Sequence, residues 1–101
     1  MVDIENIKNV GIAAAYKGGE ILKSYLSDHF EVHKKGAKDL VTEADTQSEK
    51  IIIDTIKNKY PDHAILAEES GAGLGDPRNR WIIDPLDGTT NFAHRIPFFS
   101  I

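Results

Sequence analysis

Two carboxylates, Asp84 and Asp87, close an apolar run in the segment Trp81-Ile82-Ile83-Asp84-Pro85-Leu86-Asp87-Gly88-Thr89-Thr90-Asn91-Phe92. Pro85 stops a strand and stiffens the turn between them. Around that turn Asp84, Asp87 and the Leu86 carbonyl can face one point. Gly88, Thr89 and Thr90 read as the start of a short helix, where unpaired N–H groups and the helix dipole favour a phosphate. Hard oxygen donors suit magnesium, which keeps several waters and so needs few protein ligands. The residue types point to metal-dependent phosphate processing. The same residues also suit an Asx-type turn with a helix cap, because Asp, Pro and Gly dominate turns. Spacing alone leaves both open.

A second apolar run, Ala64-Ile65-Leu66-Ala67, also ends in acids, Glu68 and Glu69. Buried strands rarely end this way without a partner charge. Glu69 reads as a solvated neighbour. Three gathered carboxylates repel unless cations lie between them. Two metals roughly 3.5–4 Å apart, clamping the attacking and leaving oxygens, are the usual arrangement for phosphoester hydrolysis. The Thr89 hydroxyl can hold a nucleophilic water, and Asp45 can accept that water's proton, directly or through Thr89. Asp45 equally reads as a helix-capping carboxylate. For Glu68 and Asp84 to meet, their strands must run parallel. That connection normally takes about a dozen residues, close to the length present.

The elements that must position these groups follow from periodicity. Ile4, Ile7, Gly11, Ala14, Gly18, Ile21 and Tyr25 recur at steps of three and four, one face of a long helix. Gly11 and Gly18 weaken that helix but let a neighbour approach. Phe30 to His33 reads as a short strand, and Lys34 to Lys38 as a basic turn. Thr42 opens a second helix with Asp45 as a variant capping box. Ala44, Ser48, Ile52 and Ile56 form its inner stripe, and Tyr60-Pro61 ends it. Gly71 to Arg80 reads as a polar loop. The predicted order is helix, strand, helix, strand, strand, short helix, a mixed α+β or α/β fold without repeats or an interdomain linker.

Composition narrows the function classes. With 101 residues the chain suffices for one small domain. A net charge of −4 argues against nucleic-acid binding, and an acidic chain that handles phosphate needs cations to offset repulsion. The chain has no cysteine, which excludes disulfides and thiolate metal sites. Met1 to Lys8 lacks a signal-peptide apolar core, and no run approaches a membrane span. A soluble cytoplasmic protein is the expectation. Gly71-x-Gly73-x-Gly75 lacks the spacing of a dinucleotide fingerprint, and the calcium-loop and phosphate-loop patterns are absent. His29 and His33 have no third ligand and read as surface residues. Pro97 to Ile101 reads as the start of another buried strand, so the sequence is expected to be a piece of something larger.

Asp39-Leu40-Val41-Thr42-Glu43-Ala44-Asp45, then Ala67-Glu68-Glu69-Ser70, then Trp81 through Phe92 with His94 and Pro97-Phe98, together resemble the inositol monophosphatase family. The blocks span essentially the whole chain in family order. The resemblance implies a lithium-sensitive, magnesium-dependent sugar-phosphate phosphatase, with the chain forming the N-terminal portion of a layered αβαβα fold. It implies that Glu68, Asp84 and the Leu86 carbonyl hold a first metal and that Asp84 and Asp87 hold a second, within a site of two or three magnesium ions. It gives Gly88 and Thr89, with Asp87 and Lys34 nearby, to the substrate phosphate. It has Asp45, Thr89 and Glu68 serve the attack of a metal-activated water. Ala67 stands where many members have Gly. A C-terminal half absent from these residues would bring a further aspartate ligand and most contacts to the substrate ring. The implied partner is a small phosphate ester, inositol monophosphate first. Fructose 1,6-bisphosphate, a nucleotide phosphate and histidinol phosphate are alternatives within the same chemistry. The resemblance also implies a homodimer. The rival from another class is a non-catalytic module that binds metal or anion.

Overall fold

Asp3 caps the first helix. Its Oδ1 accepts the Glu5 N–H at 3.0 Å and its carbonyl accepts the Ile7 N–H at 3.0 Å, satisfying donors that a helix start leaves open. In the computed structural model, which describes residues 3–27, 32–68, 71–73, 75–88 and 100–101, this helix, α1, spans Ile4–Ser27. A second helix, α2, spans Val32–Lys59. Strands β1 (His63–Ala67), β2 (Gly71–Ala72) and β3 (Asp76–Ile83) follow.

Helix α2 starts at Val32 rather than at Thr42. Val32 and His33 are helical instead of forming the expected strand, Phe30 lies outside the described residues, and residues 34–38 are helix instead of a turn. A strand there would need a partner for its backbone groups, and no pairing in the described sheet, ordered β2-β1-β3, involves this segment. A helix satisfies those groups locally. Lys34, Lys35, Ala37 and Lys38 are good helix formers, and they outweigh the roughly 1 kcal/mol that Gly36 costs. Thr42 and Asp45 thus lie inside a helix and form no capping box. The C-terminal end agrees with the sequence. The Tyr60 N–H donates to the Ile56 carbonyl at 2.8 Å, and Pro61 cannot continue the helix. Lys57 Nζ donates to the Pro61 carbonyl at 3.1 Å and the His63 carbonyl at 2.6 Å, a cation favourably placed at a helix C-terminus.

The segment expected to be a loop contains β2 and the first half of β3. Strand β2 returns antiparallel along one edge of β1, with Leu66 opposite Ala72. The chain then passes beneath the start of β1, where the Asp76 N–H donates to the Asp62 carbonyl at 2.7 Å. Gly75 is required at this crossing, since a Cβ there would sit 2.6 Å from the His63 carbonyl oxygen. Strand β3 rises parallel to β1 on its other side, pairing Ala64 with Arg80, Ile65 with Trp81 and Ala67 with Ile83. The register is irregular between His63 and Ala64, and Pro77, which has no N–H to donate, lies within that irregularity. At this end the Trp81 Nε1–H donates to His63 Nδ1 at 3.0 Å, and Tyr60 stacks on the His63 ring at 4.5 Å.

Both helices cover one face of the sheet. Ala14, Ile52, Ile56, Ile65, Ala67 and Ile83 form the main core, while Leu66 and Ile82 point to the other face and are exposed. The predicted α2 stripe, Ala44, Ser48, Ile52 and Ile56, is buried throughout. On α1 the predicted face holds at Ala14 and Gly18. Ile4 is exposed, and Leu22, not Ile21, reaches the interior. A smaller cluster of Leu22, Ala44 and Leu86, with Tyr25 and Leu26 against it, joins the helices to the segment after β3. Beside it the Tyr25 hydroxyl donates to Glu43 Oε1 at 3.0 Å. Burial raises the Tyr25 phenol above its ordinary range, and the hydrogen bond to Glu43 and its negative charge add to the shift.

Two predictions follow from this packing. A Cβ at Gly18 would lie 2.8 Å from both Ile52 Cδ1 and Ile101 Cδ1 and 2.9 Å from Ser48 Oγ, whereas one at Gly19 meets nothing within 4 Å. Overpacking costs about 1–3 kcal/mol, against a helix gain of roughly 1 kcal/mol. Gly18→Ala is therefore expected to lower the urea midpoint and Gly19→Ala to raise it; equal midpoints would refute the close approach. For Tyr25 the fold favours the neutral phenol. Its contribution is complete below the unfolded value of about 10 and is lost as pH rises through the higher folded value. Stability measured from about pH 9 to about pH 11 should fall less in Tyr25→Phe than in the unaltered protein, and identical falls would dissociate Tyr25 from alkaline unfolding.

Candidate metal and phosphate site

The parallel register places the ends of β1 and β3 side by side. Ala67 pairs with Ile83, and the Glu68 N–H donates to the Ile83 carbonyl at 3.2 Å. Glu68 and Asp84 thus leave the sheet at the same level, and both are exposed. The carboxyl ends of parallel strands are where open sheets of this kind bind ligands. The expectation that the two acid-ended strands run parallel is met, and β2 supplies the return path that makes the short connection possible.

The turn after β3 is held from below. Pro85 is fully buried, and its carbonyl accepts the Ser48 hydroxyl of α2 at 3.0 Å. Leu86 packs on Leu22 of α1 and Ala44 of α2. Asp84 Oδ1 accepts the Leu86 N–H at 3.2 Å, so the Asx turn that the sequence also allowed is formed. It leaves the Asp84 side chain at the surface. Asp87 is exposed as well. Its N–H donates to the Ser100 carbonyl at 2.6 Å, and its carbonyl accepts the Ser100 N–H at 2.9 Å. Gly88 has a φ of 89°, in the left-handed region that a side chain makes costly. The residues expected to continue a short helix from here, Thr89 among them, lie outside the described residues.

Asp45 sits on α2 next to Ala44, the residue Leu86 packs against. It is half-buried, with Oδ1 shielded from solvent. Lys34 falls within α2, and its side chain lies outside what is described. Among the described residues no group of three or more histidine or acidic side chains converges closely enough to hold a metal ion. Glu68, Asp84 and Asp87 share one end of the sheet without closing on a common point. The donor set itself is made of carboxylates and backbone carbonyls, hard oxygens that fit magnesium or calcium and not a thiophilic metal.

The sequence places Ser48 in the inner stripe of α2 but gives its hydroxyl no partner; the structure supplies the Pro85 carbonyl. The signal was available: a serine in an otherwise apolar stripe must find a buried partner. An exposed ion pair between Asp76 and Arg78 is remote from the site. Hydrogen bonds from Arg78 hold the Asp76 carboxyl below its usual range, with the guanidinium 3.0 Å away, at the opposite end of β3 from Asp84. Among the described residues no helix is long and apolar enough to cross a membrane.

Comparison with known proteins places these features in context. The profile of the inositol monophosphatase family matches residues 3–101. The Nus factor SuhB of Escherichia coli is 46% identical over 96 residues, which cover 92% of this chain and 36% of that protein. The crystal structure of the extragenic suppressor protein SuhB from Bartonella henselae superposes with a TM-score of 0.78 at 39% identity, over 93% of this chain and 36% of that one. An inositol monophosphatase from Anabaena (Nostoc) superposes with a TM-score of 0.76 at 39% identity, over 97% of this chain and 34% of that one. The chain spans about a third of the length of these proteins.

Proposed function

The chain belongs to the inositol monophosphatase family, a phosphatase family, and from that premise we propose that it forms the N-terminal part of a magnesium-dependent phosphomonoesterase. The substrate is inositol monophosphate or a related sugar phosphate. The observation that carries this reading is the parallel register that sets Glu68 beside Asp84. The exposed Leu66 and Ile82 on the bare face of the sheet support a further layer supplied by a longer chain.

In this reading Glu68, Asp84, Asp87 and the Leu86 carbonyl hold the magnesium ions. Bound magnesium supplies positive charge that offsets phosphate and carboxylates alike, and it acidifies water. The N–H groups of Gly88 and Thr89 bind the substrate phosphate, and Lys34 adds charge beside it. A water oxygen bonds to phosphorus as the ester P–O bond breaks. Asp45, through Thr89, takes the proton the water gives up, and the leaving alkoxide takes a proton from solvent to depart as the alcohol. No covalent enzyme intermediate is formed. Lithium sensitivity, a homodimer and a cytoplasmic location accompany the reading as expectations.

A second reading is favoured by the relative at 46% identity, which is described as a Nus factor. A Nus-factor role for the longer protein need not use the carboxylates, so one variant separates the two. Charge stabilisation by a metal is worth several kcal/mol, and each 1.4 kcal/mol or so is tenfold in rate. In the full-length protein Asp84→Asn is expected to lower phosphate release about a thousandfold while sparing complementation of a strain lacking SuhB. Hydrolysis that survives Asp84→Asn removes Asp84 from the metal site. A panel of inositol monophosphate, fructose 1,6-bisphosphate, a nucleotide phosphate and histidinol phosphate ranks the substrates.

A further inference from the structure

We infer that Ser48 is a positioning residue for the magnesium-binding turn, an inference that rests on the phosphatase reading above. The turn Asp84-Pro85-Leu86-Asp87 touches α2 through Leu86 and through Pro85. Leu86 packs on Ala44, and the Pro85 carbonyl accepts the Ser48 hydroxyl at 3.0 Å. Residues 44 and 48 are one helical turn apart on the same face, and Asp45 lies between them. The two contacts therefore flank in sequence the carboxylate assigned to the attacking water, and they tie it to Asp84 and Asp87, two of the three carboxylates assigned to magnesium.

The contacts differ in kind. Leu86 is buried among apolar groups, and such contact resists separation but is non-directional. A turn held by that alone can rotate or slide on α2. The Ser48 bond is directional. It reaches the backbone carbonyl that lies between Asp84 and the Leu86 carbonyl, so it orients the start of the turn on α2, while the paired backbone bonds of Asp87 with Ser100 hold its far end. Ser48 and Pro85 are both fully buried, so water does not readily replace the lost hydroxyl. Gly18 makes the room for it, since a Cβ there would lie 2.9 Å from Ser48 Oγ.

Residues that orient metal ligands in this indirect way typically change metal affinity 10–100-fold when removed. The test is calorimetric titration of magnesium into the folded full-length protein, without substrate. Ser48→Ala is expected to weaken binding roughly tenfold, and Ser48→Cys, which keeps a weak donor and is the fallback if the alanine variant fails to fold, to weaken it less. Leu22→Ala, which damages the same packing cluster without touching the directed bond, controls for general loosening. It is expected to lower thermal stability while leaving magnesium affinity unchanged. Unchanged affinity in Ser48→Ala, or an equal loss in Leu22→Ala, overturns the assignment. Asp84→Asn separates the two levels. If it abolishes binding while Ser48→Ala does not weaken it, only the role of Ser48 fails; if it binds as the unaltered protein does, the metal site fails and Ser48 with it.

Discussion

The parallel pairing of β1 with β3 is the constraint on which the remaining features depend. Ile65, Ala67 and Ile83 point from this pair into the helices, where they meet Ile52 and Ile56 of α2 and Ala14 of α1. Because side chains alternate along a strand, a slip of one residue would turn Ile82 inward and Ile83 outward. The same slip would part Glu68 from Asp84, which now leave the sheet at one level. Burial of three small or branched side chains thereby fixes where two carboxylates stand. The hydrophobic preference is indifferent to charge, yet it determines the charge geometry.

The turn that carries Asp84 and Asp87 has two surfaces with opposite tasks. Pro85 and Leu86 are buried against the helices, and the two aspartates face solvent. Attachment comes from below, through the smaller cluster, and direction comes from the Ser48 bond and, from the side, the paired backbone bonds of Asp87 with Ser100. A charged group at the surface loses little solvation, while its backbone is fixed by neighbours that are fully buried. This division lets an exposed ligand be well placed without the desolvation that a buried carboxylate suffers.

The parts legible in the sequence are those with a strong period or an abrupt ending. The α2 stripe Ala44, Ser48, Ile52, Ile56 was readable because a buried helix face repeats at three or four residues. The two acid-ended runs were readable because an apolar strand followed at once by carboxylates is unusual. The first half of β3 was not, since Asp76 to Arg80 runs along a sheet edge, is largely exposed and shows no alternation. The start of α2 was missed because Phe30 to His33 has strand-favouring residues, and local propensity yields to the absence of a pairing partner. Thr42 and Asp45 imitate a cap, but a cap is defined by where the helix begins. Family membership, suggested by three short blocks, carries over to the whole matched span. The placing of Glu68 beside Asp84 was beyond reach of spacing alone, because it depends on the pairing of strands distant in sequence.

Trp81 is the chain's single tryptophan, and its indole spans the strand pair by donating to His63 at the foot of β1. The fold thus contains its own optical gauge. Indole emission, which responds to hydrogen bonding, reports on the separation of β1 from β3 without any attached label. The spacing that places the two carboxylates is thereby visible to a fluorimeter from within the same strand pair.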